Sequence, residues 1–150
     1  MSKEKRSFAI IGCGRFGMNL ALSLSEMGYE VLVVDNSQDK INEIAEYVTY
    51  AVRADVSQED ALKELGIGNI DCVIVSLSSN FEASVMATSI CKELGVDKIV
   101  AKAKNDHHGK ILKQVGATKI VIPEKDMGIR LAHFLGKPSV YEYIELSGDY

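Results

Sequence analysis

The chain has 150 residues, 47% hydrophobic and 25% charged, with a formal net charge of −4. That is one domain's worth of ordinary globular composition, able to bury about two-thirds of its unfolded surface, and it has no apolar run long enough to span a bilayer. The scattered Lys and Arg leave no basic stripe for nucleic acid, while the charged start Met-Ser-Lys-Glu-Lys-Arg and the unpaired Cys13, Cys72 and Cys91 argue for a cytoplasmic, reducing location without membrane insertion.

The first predicted strand, Ser7–Ile11, runs into Gly12-Cys13-Gly14-Arg15-Phe16-Gly17 and then a helical segment to Met27. A G-x-G-x-x-G that follows a strand, opens a helix and has an acidic residue, Asp35, 18 positions after its last glycine is a dinucleotide-binding fingerprint. Gly12 allows the sharp turn, Gly14 allows backbone to approach a phosphate, and Gly17 allows close helix–strand packing. The free N–H groups of the helix start then face an anion. Asp35, ending the run Glu30–Val34, is placed to accept from a ribose diol and to repel a 2′-phosphate, which favours an unphosphorylated adenosine ribose over that of NADP.

The same pattern of β-branched run, capped helix and glycine repeats, with further strands at Tyr50–Ala54, Asp71–Leu77, Lys98–Ala103 and Lys119–Ile122. It predicts an α/β, Rossmann-like, doubly wound sheet of six parallel strands. Capping-box spacing at Ser57/Asp60 and Ser79/Glu82 marks helix starts, and Gly28, Gly66, Gly95 and Gly116 mark helix ends. In such a sheet ligands lie beyond the carboxyl ends of the strands. That rule adds Asp35-Asn36-Ser37, Asp55-Val56, Leu77-Ser78-Ser79, Lys102-Ala103-Lys104 and Pro123-Glu124 to the glycine loop as candidate site residues. Asp55 suits the exocyclic amine of an adenine and equally suits the residue before a Ser57 cap. Lys102 and Lys104 share a strand face and suit either a phosphate or solvent. His107, His108 and His133 read as surface or helix-start residues, with His108 near enough to the strand ends to touch a phosphate or ribose.

A helix starting at Pro123-Glu124 and ending before Gly136 and Pro138 carries Met127, Leu131 and Leu135 on one line and Ile129, Ala132 and Phe134 beside it. Apolar surface on more than one face calls for a second partner, or for a helix simply sunk in one core. Val140–Leu146 then alternates like a strand with nothing left to pair with. The expected division is a nucleotide-binding domain over 1–137 and the start of a linker over 138–150. No Tyr-x-x-x-Lys, G-x-x-x-x-G-K-[S/T] or G-x-S-x-G is present, so the chain does not read as an enzyme. The alternative is a small NAD-dependent oxidoreductase or its detached cofactor domain.

Phe8-Ala-Ile-Ile-Gly-Cys-Gly-Arg-Phe-Gly17, Glu30-Val-Leu-Val-Val-Asp35 and Ile122-Pro-Glu-Lys-Asp-Met-Gly128 together resemble the N-terminal lobe of RCK domains, also called TrkA-N or KTN domains. The likeness is strongest to the cytosolic gating subunits of Ktr potassium transporters. It implies a homodimer formed through the late crossover helix, assembled into an octameric ring on the cytosolic face of a membrane potassium-translocating subunit. It also implies that ATP or ADP, or NAD/NADH as in relatives, binds the cleft and changes the ring's shape. On that likeness Arg15 would reach phosphates, Asp35 would hold the ribose, and Glu124 would sit near the phosphates or a divalent cation, Mg²⁺ or Ca²⁺. The family continues into a smaller C-terminal lobe, before which this chain is expected to end.

Overall fold

The structure, a computed structural model, describes residues 6–77 and 79–137. Its elements are β1 (Ser7–Ile11), α1 (Arg15–Glu26), β2 (Glu30–Asp35), α2 (Gln38–Ile44), β3 (Tyr50–Arg53), α3 (Glu59–Glu64), a 3₁₀ turn (Ile67–Asn69), β4 (Cys72–Val75), α4 (Phe81–Glu93), β5 (Lys98–Lys102), α5 (Asp106–Val115), β6 (Lys119–Val121) and α6 (Pro123–Leu135). The six strands are all parallel, in the order β3-β2-β1-β4-β5-β6, as the alternation of runs and helices predicts. The strands read as near-continuous apolar runs because both faces of the sheet are covered. Ala9, Ile11, Val34 and Val75 pack toward α3, α4 and α5, and Ile10, Val31, Val33 and Ile74 toward α1 and α2. Strand order reverses between β1 and β4, which opens a crevice at their carboxyl ends.

The expected boundaries differ mainly at those ends. β3 stops at Arg53, β4 spans only Cys72–Val75, β5 stops at Lys102 and β6 at Val121, while β2 extends to Asp35. Around β4 the flanking polar groups leave the ladder. Asp71 turns its carboxylate to the Ser7 N–H, and Leu77 accepts from the Asn80 N–H to form a turn. Both expected capping boxes shift. Ser57 donates its N–H and hydroxyl to Asp55 Oδ1 at 3.0 and 2.6 Å, so α3 starts after Gln58 with no side-chain cap. Asn80, not Ser79, caps α4 by accepting from the Ala83 N–H. The four glycine stops all carry positive φ, as expected of left-handed helix ends.

No residue of α6 is buried, and Met127, Ile129, Leu131, Phe134 and Leu135 are all exposed. The strand-like Val140–Leu146 and the proposed linker lie outside the described residues.

A Cβ at Gly17 would collide with the Gly12 carbonyl oxygen and lie 2.8 Å from Ser76 Oγ, whereas one at Gly14 would meet open space. Gly17→Ala should therefore lower stability by about 1–3 kcal/mol through overpacking. Urea denaturation beside Gly14→Ala, which should stay within about 1 kcal/mol of wild type, checks it.

Candidate functional site

The crevice is built around the loop that joins β1 to α1. Gly12 leaves β1 with φ +99°, its N–H donating to the Val34 carbonyl at 2.8 Å. Its own carbonyl accepts from Ser76 Oγ at 2.5 Å. Ser76, directly after β4, was missed by sequence reasoning; its only signal is a polar residue closing an apolar run.

Asp35 grips the loop from the other side. It is 6% exposed, with Oδ2 accepting from the Cys13 N–H at 2.7 Å and Oδ1 from the Ser37 N–H at 2.8 Å. A buried carboxylate is tolerated only when its oxygens are hydrogen-bonded, so loop and anion stabilise each other. Each oxygen keeps further acceptor capacity, which leaves room for a ribose hydroxyl.

α1 begins with no side-chain cap and no acidic residue in its first turn. Its first amides therefore keep unsatisfied donors and the positive end of the helix dipole. Gly14 and Arg15 are exposed beside them, and Phe16 is half-buried. Lys102 reaches across from β5 to place Nζ 5.7 Å from the centre of the Phe16 ring, within cation–π range. Two positive side chains and an uncapped helix start thus gather at one loop in a chain of net charge −4. Below the loop, Phe16, Val121, Pro123, Met127 and Arg130 line a cleft of about 610 Å³ between β6 and α6.

The other predicted residues divide by where the fold puts them. Val56 and Ala103 pack in the core, leaving only backbone for a ligand. Asn36 accepts from Arg53 Nε through its carbonyl, and Ser37 Oγ accepts from the Lys40 N–H to cap α2. Asp55 is exposed, and the hydrogen bonds from the Ser57 hydroxyl and N–H hold its carboxyl below the usual range. Leu77 packs half-buried against the core; Ser79 and Lys104 are exposed; Ser78 lies outside the described residues. Glu124 is exposed in the first turn of α6. Among the described residues no group of three or more His, Cys, Asp or Glu side chains converges to hold a metal ion.

His108 corrects the surface reading. It lies in the first turn of α5, as expected, but is 2% exposed, with Nδ1 accepting from the Lys104 N–H and Nε2 bonded to Ser84 Oγ. Both ring nitrogens are occupied within the fold, so the imidazole itself does not face a ligand. An apolar hollow of about 350 Å³, lined by Phe8, Leu32, Tyr50, Leu65 and Ile70 among others, lies at the amino ends of β1–β3, at the opposite edge of the sheet from this chemistry.

Removing the Asp35 carboxylate would strand the Cys13 and Ser37 amides. Asp35→Ala should cost about 3 kcal/mol in the ligand-free protein, and Asp35→Asn, which keeps one acceptor, less. Equal urea midpoints for wild type and Asp35→Ala would reduce the residue to a ligand contact alone.

The TrkA-N domain model matches residues 8–123. Ktr system potassium uptake protein C of Bacillus subtilis is 47% identical over 97% of the chain, and protein A of the same organism 44% over 98%. The chain spans 66% of the length of each of these relatives. Among solved structures, the TrkA-N domain of inner membrane protein ybaL from Escherichia coli superposes with TM-score 0.76 at 18% identity, covering 89% of this chain and 99% of that one. The GsuK channel bound to NAD superposes with TM-score 0.70 at 20% identity, covering 81% and 22%. GsuK bound to ADP gives TM-score 0.68 at 20% identity, covering 79% and 31%. With its glycine loop, sheet order and Asp35 all inside the matched span, the chain belongs to the TrkA-N domain family.

Proposed function

We propose that the chain is the nucleotide-sensing lobe of a regulatory subunit of a potassium uptake transporter, acting on the cytosolic face of a membrane-embedded partner rather than as an enzyme. The observation that carries this is the uncapped start of α1 behind Gly14, with Asp35 on one side and Arg15 and Lys102 on the other. Such an arrangement suits the pyrophosphate and ribose of an adenosine nucleotide. The names of the Bacillus relatives supply potassium uptake, and the NAD- and ADP-bound GsuK structures support ATP, ADP or NAD/NADH as the ligand class.

A ligand shifts a conformational equilibrium only by its differential affinity for the two states. ATP differs from ADP by one phosphoryl group, so a cation must meet that group in one state only. Arg15, exposed at the helix start with a planar fork suited to phosphate, is that cation in this reading. Glu124 would then share a Mg²⁺ or Ca²⁺ ion with the phosphates, completing the coordination that no cluster in the described chain supplies.

The exposed apolar residues of α6 support a homodimer through that helix. Dimers joined into an octameric ring would turn a change at the loop into a change of ring shape.

Calorimetric titration with ATP, ADP and NADH tests the reading, and turnover with a hydride acceptor would favour the oxidoreductase instead. Arg15→Ala should still bind ADP while losing most of its preference for ATP; an undiminished preference would move the discriminating cation to Lys102. Leu131→Asp should leave the circular dichroism spectrum intact and break the oligomer, seen as a lower mass in light scattering. Wild-type protein that is monomeric at micromolar concentration would sink the α6 interface.

A further inference from the structure

We propose that His108 is a positioning residue of the candidate nucleotide cleft, its neutral ring tying the start of α4 to the turn that follows β5. These are two of the segments a nucleotide at the strand ends lies against, so the proposal rests on the nucleotide reading above.

The sequence brings His108 inward by a local device. Asn105 caps α5, its Oδ1 accepting from the His108 N–H at 2.8 Å, which sets His108 in the first turn on the side facing α4. Nδ1 accepts from the Lys104 N–H at 3.0 Å. A nitrogen that accepts carries no proton, so the neutral ring has its hydrogen on Nε2. That N–H donates to Ser84 Oγ at 2.8 Å, and Ser84 in turn donates to the Phe81 carbonyl at 2.9 Å. The ring also packs on Phe81, with centroids 4.9 Å apart.

One chain of hydrogen bonds therefore runs from the backbone of the β5–α5 turn, through the imidazole, to the first residue of α4. Only one tautomer completes it. Among the described residues the His108–Ser84 bond is the only side-chain hydrogen bond between α4 and α5 or the turn before it. Lys104, whose amide it fixes, follows directly on Lys102 and Ala103 at the strand end.

The groups facing the ring from α4, Phe81 and Ser84, are uncharged. The turn contributes uncharged Asn105 and the Lys104 ammonium. Burial first, and Lys104 second, push the His108 pKa below its ordinary value. The sign follows from the neutral form being the one the fold uses. The tie is intact above the unfolded value of about 6.5 and is progressively disfavoured as pH falls from there through the lowered folded value. A proton on Nδ1 would face the Lys104 N–H, donor against donor.

The test has a ligand-free arm and a binding arm. Imidazole ¹⁵N shifts of the free protein at pH 7.5 should show the proton on Nε2, and Lys104 amide exchange should accelerate as pH falls below about 6.5 beyond its intrinsic dependence. In calorimetry at pH 7.5, His108→Phe, which fills the space without either bond, should bind both ATP and ADP about tenfold more weakly. Lowering the pH to 5.5 should weaken wild type further than it weakens His108→Phe, which reports the nucleotides' own titration. Ser84→Ala, which removes only the Nε2 partner, should fall between the two. A proton on Nδ1, a ring charged at pH 7.5, or a folded His108→Phe with wild-type affinity and pH profile would overturn the proposal. If His108→Phe does not fold, unchanged affinity in Ser84→Ala overturns it instead. Wild-type protein that binds neither nucleotide would defeat the nucleotide reading and the positioning role with it, while the ligand-free arm would still read whether the tie exists.

Discussion

A buried carboxylate must find donors or be expelled, and Asp35 finds them in the two stretches of backbone that border the crevice. One is the amide of Cys13, inside the glycine loop, and the other is the amide of Ser37, where the chain turns into α2. The anion fixes the loop in one conformation and the loop keeps the anion buried, so neither is stable alone. Ser76 grips the Gly12 carbonyl from just beyond β4, so the loop is held at the ends of both strands that flank β1. Gly17 then lets α1 sit against Gly12, where any side chain would collide. The result is a helix start held rigidly with its donors free. That is the preorganisation an anion site needs, since the ordering cost is met in folding and not in binding.

The second wall of the crevice is held by different chemistry. There the link is a neutral imidazole between a backbone amide and a serine hydroxyl. A carboxylate accepts from two amides whatever their order, but an imidazole must have its proton on the correct nitrogen. The two walls therefore differ in what can loosen them, and the wall nearer Lys102 is the conditional one.

α6 stands apart from both. It is tied at its first turn, where Asp126 Oδ2 accepts from the Ile122 N–H at 2.8 Å and Lys125 pairs with Asp106 at 2.8 Å. Both members of that pair are exposed, and such a pair contributes about 1 kcal/mol at most. The apolar residues along the rest of the helix are exposed. Phe16 lines the same cleft as Met127 and Arg130, which puts the base of this helix next to the glycine loop. A partner seated on α6 would lie close to the site.

Much of this was legible in the sequence because the rules that govern it are local. Glycine sterics mark the loop and the four helix ends, apolar runs mark six strands, and their alternation with helices implies a parallel doubly wound sheet. Asp35 was found by its spacing from the glycines, but its grip on Cys13 was not, because that bond depends on β1 and β2 lying side by side. The capping boxes at Ser57 and Ser79 failed for a related reason: spacing finds the residues able to cap, while competing partners decide which one does. Asp55 takes the Ser57 hydroxyl, and Asn80 caps α4 one residue beyond Ser79. His108 meets Ser84 across 24 residues of chain, and Lys102 meets Phe16 across the reversal in strand order. The sequence by itself determined the backbone turns and periodicities, which are settled within a few residues. Only the tertiary structure decided the partners of the polar side chains, because a hydrogen bond forms with whichever groups the sheet order brings within 3 Å or so of each other.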